Sequence, residues 1–197
     1  MSKARSKSIC QLPKVSTVSG RSSSITNAFI NAILPVHKPT DDEVLEALAI
    51  LEMSADNVRC AYCGDKNTEW DHLRPIIRGK KPTGYITEIA NLVPACGKCN
   101  QSKGGSDWKA WMLGPAAQSP KSRGTVDIDR RVELLEKYES WKIPVHVEFE
   151  QVVEPRLWKQ HYENWTNVLA LLDKSQQLAK EIRRSIEIAS RRVACRS

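Results

Sequence analysis

Two C-x-x-C pairs, Cys60/Cys63 and Cys96/Cys99, restrict this chain of 197 residues more than any other feature. A two-residue spacing lets both sulfurs of a pair face one ion from a tight turn, and four such sulfurs complete the tetrahedron of a structural zinc. Gly64 and Gly97 stand beside the pairs, where such turns need them. A redox dithiol is the competing reading, but two matching pairs in one short module favour the metal. Closing the site ties residues 60 to 99 into one loop, so whatever lies inside is presented rigidly. Cys10 and Cys195 fall outside the pattern and read as bystander thiols.

Inside the loop are the adjacent Asp71 and His72 of "EWDHLRP" and, further on, Asn91; Asn100 follows one step after the last cysteine. Residues 66–74 read as a strand bounded by "GDKN" and Pro75. A basic loop "RGKKPTG" follows, then a second short strand near "YIT" and a helix starting around 95–97. Adjacent strand residues point to opposite faces, so Asp71 and His72 share one site only if the strand ends or bends there.

The net charge of +7 is unevenly spread. Residues 1–40 carry six basic and no acidic residues, 41–72 two basic against nine acidic, and 73–124 nine basic against two acidic; the remainder is nearly neutral. A basic arm and a basic middle fit a polyanion partner, with a solvated basic surface as the bland alternative. The N-terminus lacks the apolar stretch of a secretory signal, so a cytoplasmic protein with reduced or metal-bound cysteines is expected. No segment approaches the roughly eighteen apolar residues of a membrane helix.

The segments "CAYC", "DHLRP", "NLVPACGKCN" and "QSK", covering about residues 58–105, resemble the HNH (ββα-metal) endonucleases in their four-cysteine, zinc-containing form. The resemblance implies an α+β fold, a small ββα-metal module tied by zinc and flanked by helical regions. It implies that His72 is the general base, that Asp71 and Asn100 hold a catalytic divalent ion, and that Asn91 orders the loop and orients the histidine. Many members have histidine where this chain has Asn100. The implied substrate is double-stranded DNA, cut to 5′-phosphate and 3′-hydroxyl ends.

The residue types suit that chemistry. Phosphodiester hydrolysis needs an activated water and stabilisation of charge on the phosphoryl and leaving oxygens. A neutral histidine accepts the water proton near pH 7, and carboxylate and carboxamide oxygens suit Mg2+ or Mn2+. Arg74, Arg78, Lys80, Lys81 and Lys103 are candidate DNA-phosphate contacts, with solvated surface cations as the alternative. His37, His146 and His161 have no partner pattern and read as structural or surface residues.

The expected organisation is a disordered basic arm over 1–24, an N-terminal helical region over 25–57, the nuclease module over 58–113, a linker over 114–126 and a C-terminal helical region over 127–197. Thr40 and Glu43 form a capping-box pattern ahead of a helix whose buried face is Val44, Leu45, Leu48, Ile50 and Leu51. Ser106 is the expected cap of "DWKAWMLG". "DIDRRVELLEKYESW" reads as a helix with Ile128, Val132, Leu135 and Trp141 on one side, and "IPVHVEFEQVV" as an edge strand or ordered loop. A long helix from Pro155 carries a weak seam from Trp165 to Val193, packed on its own domain or forming a homodimer. Helical regions on both sides of a minimal nuclease point to a restriction-type enzyme. A homing or phage-type nuclease, or a non-catalytic zinc protein that binds nucleic acid, is the alternative.

Overall fold

A computed structural model describes residues 13–66 and 69–194. They fall into two compact units: the residues up to Thr26 together with those from Gln160 onward, and Asn27–Lys159. In chain order a 3-10 turn at Ser19–Arg21 leads into α1 (Ser22–Asn31) and α2 (Asp41–Ile50). The strands β1 (Glu69–His72), β2 (Ile77–Arg78), β3 (Lys81–Pro82) and β4 (Leu92–Ala95) follow, then α3 (Gly97–Lys103), α4 (Trp108–Met112), α5 (Ile128–Trp141), α6 (Phe149–Val152) and α7 (Pro155–Ala194). Helical structure begins at Ser19, inside the stretch expected to be a disordered arm. Residues 1–12, and with them Cys10, lie outside the described residues, as does Cys195.

In the larger unit β1 pairs antiparallel with β4, with Asp71 opposite Val93 and His72 opposite Leu92. The chain then enters α3, completing a strand-strand-helix module. The partner of β1 is thus "LVPA" and not the expected strand near "YIT", where Tyr85 and Thr87 form only isolated bridges to His146 and Val36. A proline inside "LVPA" disguises it, since proline weakens any strand reading. The "RGKKPTG" segment is a β2–β3 hairpin whose central Gly79 and Lys80 both have positive φ, at 58° and 64°, as a type I′ turn requires.

One apolar core joins this module to α2, α4 and α5, through Ala47, Leu51, Tyr62, Leu73, Val93, Trp108, Met112 and Leu135 among others. The Thr40 capping box is present: Thr40 Oγ1 accepts from the Glu43 N–H at 3.3 Å and Glu43 Oε2 from the Thr40 N–H at 3.0 Å. The buried stripe of α2 is Val44, Ala47, Leu48 and Leu51, so Leu45 is off it and 49% exposed, against expectation. On α5, Val132 and Leu135 are buried while Ile128 and Trp141 pack at the edge of the core, as the sequence predicts.

Asp107, not Ser106, caps α4, accepting from the Ala110 N–H at 2.8 Å. Residues 114–126 form an ordered run of turns rather than a linker. Ser119 and Pro120 are buried there, Ser119 Oγ donates to the Gly114 carbonyl, and the Lys121 N–H donates to the Met112 carbonyl. The "IPVHVEFEQVV" segment is a loop with one bridge at His146, ending in α6.

In the smaller unit, Trp165 Nε1 donates to Thr26 Oγ1 at 3.1 Å and Gln176 Oε1 accepts from the Val18 N–H at 2.6 Å. The first half of the α7 seam (Trp165, Val168, Leu172, Ser175, Ala179) is half-buried in this unit. Its continuation, Ile182, Ile186 and Val193, is exposed. Among the described residues no helix is long and apolar enough to cross a membrane.

Candidate active site and metal cluster

The two C-x-x-C turns meet. The sulfurs of Cys60, Cys63, Cys96 and Cys99 all lie within 4.8 Å of one another, and Cys63 and Cys96 are 3.7 Å apart. A tetrahedron with metal–sulfur bonds of about 2.3 Å has edges of about 3.8 Å, so these four residues fit a single zinc-sized ion. The first turn closes through the Gly64 N–H to the Cys60 carbonyl at 2.8 Å, with Gly64 at φ 77° and Arg131 packed where a Cβ would stand. The second places Cys96 at the N-cap of α3 and Cys99 inside it. Hydrogen bonding among the crowded thiols pushes Cys60 up to about 12 and raises Cys99 as well, while the same neighbours hold Cys63 low. One thiolate thus suppresses the ionisation of the others unless a cation shares the charge. Arg123 adds positive charge from outside, donating to Cys99 Sγ at 3.0 Å.

The catalytic candidates lie on the strand opposite. β1 keeps its pleat to its last residue, with Asp71 buried and His72 half-buried. Asp71 Oδ2 accepts from Tyr62 Oη at 2.6 Å and meets Lys103 Nζ at 3.0 Å. Burial pushes the Asp71 carboxyl up, against the pull of the Lys103 ammonium and the Tyr62 hydroxyl, and burial pushes Lys103 down. Lys103 also donates to the His72 carbonyl at 2.7 Å, so one ammonium holds both residues of the pair. Among the described residues no side chain bonds Asp71 Oδ1 or the Asn100 carboxamide.

His72 Nε2 is 2.8 Å from Thr87 Oγ1, while Nδ1 has no hydrogen-bond partner among the described residues. Burial and the nearby Lys103 charge lower its pKa to about 4, so the imidazole is neutral at physiological pH. Asn91 is fully buried and clamps the turn that leaves β1: its Oδ1 accepts from the Arg74 N–H at 2.8 Å and its Nδ2 donates to the Arg74 carbonyl at 2.9 Å. The Leu73 N–H donates to the Asn91 carbonyl at 2.9 Å. Asn91 therefore fixes the chain immediately after His72.

Of the five candidate phosphate contacts, Arg78, Lys80 and Lys81 are exposed on the β2–β3 hairpin. Lys103 is corrected: its side chain has no exposure, because α3 folds back onto β1 and turns the ammonium inward. Arg74 is corrected too, since its Nη2 is engaged by the Glu139 carboxylate and carbonyl, both at 3.2 Å. Tyr62 and Thr87 were not singled out by sequence. Tyr62 lies between the cysteines of "CAYC", where the spacing made it look like filler.

A two-stranded, one-helix module with a four-thiol cluster at one end and an Asp-His pair on its first strand defines a ββα-metal class of protein. Residues 60–106 match the family described as HNH endonuclease, so this segment is an HNH domain. The chain is also similar to the CRISPR-associated endonuclease Cas9 of Corynebacterium diphtheriae, at 32% identity over 78 residues. That match covers 38% of this chain and 7% of the relative's length. No solved structure gives a significant match.

Proposed function

We propose that the chain is a divalent-metal-dependent endonuclease that hydrolyses double-stranded DNA, with zinc as the structural ion of the four-cysteine cluster. The observation that carries this reading is the fixed, neutral His72, held at Nε2 by Thr87. In the tautomer that donates Nε2–H to Thr87 Oγ1, Nδ1 is the basic nitrogen and accepts the proton of the attacking water. Asp71 and Asn100 would hold Mg2+ or Mn2+, which supplies Lewis-acid stabilisation of the scissile phosphate and its leaving oxygen. Lys103 and Tyr62 fix the carboxylate, and Asn91 fixes the turn beyond the histidine. Arg78, Lys80 and Lys81 position the DNA backbone without reading sequence.

The nuclease module works within the whole Asn27–Lys159 unit, since α2 and α5 share its core. The exposed Ile182, Ile186 and Val193 stripe of α7 fits a homodimer, which would bring two sites to two strands. With recognition supplied outside the module, a restriction-type role is the leading one, and homing or phage-type cutting is the alternative. Incubating the protein with plasmid and genomic DNA in Mg2+ or Mn2+, followed by end sequencing, separates them: a short recurrent site supports restriction, and one long site supports homing. DNA binding without cutting would make the chain a zinc-containing binding protein.

A further inference from the structure

Two arginines reach the four-cysteine cluster from beyond the segment that matches the HNH family. Arg123 Nη2 donates to Cys99 Sγ at 3.0 Å. Arg131, on α5, lies against Gly64 in the first turn, with its Nη1 3.5 Å from the Cys60 carbonyl. Neither forms an ion pair with a carboxylate among the described residues, whereas the neighbouring Arg130 is bonded to both Glu52 and Glu133. The Nε of Arg123 and that of Arg131 are buried without a hydrogen-bond partner. Two guanidinium groups are thus partly withdrawn from water with no carboxylate to compensate them, a costly arrangement unless another anion is near.

The thiol cluster can be that anion. Four thiolates around one divalent ion carry two negative charges in excess, and Cys60, Cys96 and Cys99 are buried. Two arginines balance that excess. Arginine suits the task better than lysine, because its planar group offers several donors and is more weakly hydrated. The same demand accounts for the ordered 114–126 run. The Arg123 N–H donates to the Ser119 carbonyl at 3.1 Å and the Ser122 N–H to Ser119 Oγ at 3.2 Å, so the buried Ser119 holds the turn that presents Arg123.

We propose that Arg123 and Arg131 complete the metal site by neutralising a zinc tetrathiolate, Arg123 at a sulfur and Arg131 at the turn that carries Cys60 and Cys63. This rests on the reading that the cluster holds zinc. Metal retention is then a property of the whole Asn27–Lys159 unit, to which both arginines belong, and not of the matched segment alone.

The test measures zinc affinity of the full chain by competition with a chromophoric chelator, and the sulfur-to-metal charge-transfer band of the Co2+-loaded protein. Arg123→Met and Arg131→Met are each expected to weaken zinc about 10–100-fold, the range for groups that support metal ligands. Arg130→Met removes the same charge from α5 but no contact with the cluster, and is expected to bind zinc as the wild type does. In Arg123→Met the cobalt band is expected to move to longer wavelength, since a sulfur that loses an N–H donor gives up electron density more readily. A residue that only supports the fold would not move it. Arg123→Lys keeps the charge without the planar donors; it is expected to bind zinc more weakly than the wild type but more tightly than Arg123→Met, and covers the case in which that variant does not fold. An unmoved band, variants that hold zinc as the wild type does, or an equal loss in Arg130→Met would each overturn the proposal with the zinc reading intact. A wild type that takes up neither zinc nor cobalt would overturn the zinc reading, and the proposal with it.

Discussion

The thiol cluster and the proposed catalytic cluster occupy one module and are held by opposite means. Four cysteines converge through two turns of fixed spacing, and their geometry needs only an ion. Asp71 and His72 are held by residues from three places, Tyr62, Thr87 and Lys103, and Asn91 fixes the Arg74 turn that follows them. The first cluster depends on covalent spacing and metal bonds, the second on buried hydrogen bonds that lose value when one partner goes. Tyr62 joins them, because the turn that presents Cys60 and Cys63 also delivers its hydroxyl to Asp71 at 2.6 Å. Loss of a bound metal should therefore reach the Asp71 carboxylate, while loss of Asp71 or His72 should leave the thiols assembled.

The largest effect expected from breaking this arrangement is on the thiol side. Cys99→Ser, or zinc removal by a strong chelator, should unfold the module, since structural zinc contributes on the order of 10 kcal/mol. Circular dichroism melts and zinc content would show it, and a variant that melts like the wild type with no metal bound would refute the structural role. Lys103→Met should come next, at about 3–5 kcal/mol in urea denaturation, because it strands the Asp71 charge in a buried site. Adding Asp71→Asn should recover part of that loss. Asn91→Ala should cost about 2–4 kcal/mol by leaving both backbone groups of Arg74 unpaired, and should lower kcat while zinc stays bound.

The smallest effect is a pH dependence. His72 has a folded pKa of about 4, below its unfolded value of about 6.5, so the unfolded chain binds the extra proton between those pH values. Its contribution to stability is complete above about pH 6.5 and is lost as pH falls toward 4, by at most about 1.4 kcal/mol for each pH unit in between. The difference between wild-type and His72→Ala melts across that window isolates it.

What the sequence revealed follows the same division. Metal spacing is local, so Cys60, Cys63, Cys96 and Cys99 were legible at once, and the motif order around them pointed to Asp71, His72, Asn91 and Asn100 as candidates. The residues that serve those groups were not legible, because a tyrosine or threonine hydroxyl becomes a partner only through pairing distant in sequence. Lys103 and Arg74 were misread for a related reason: a cation near a phosphate site looks like a phosphate contact until packing turns it inward. The pairing of β1 with "LVPA" stayed hidden behind Pro94, and the register of that pair is what brings Asn91 beneath the Arg74 turn.

The most direct test of the central claim is cleavage of supercoiled plasmid in Mg2+ or Mn2+ by the wild type and by His72→Ala, each first shown to bind DNA and zinc equally. The account predicts discrete cuts by the wild type and a rate about 10²–10⁴ lower in the variant, the range for losing a general base. Equal cutting by both proteins, or none by a zinc-loaded wild type that binds DNA, would contradict it.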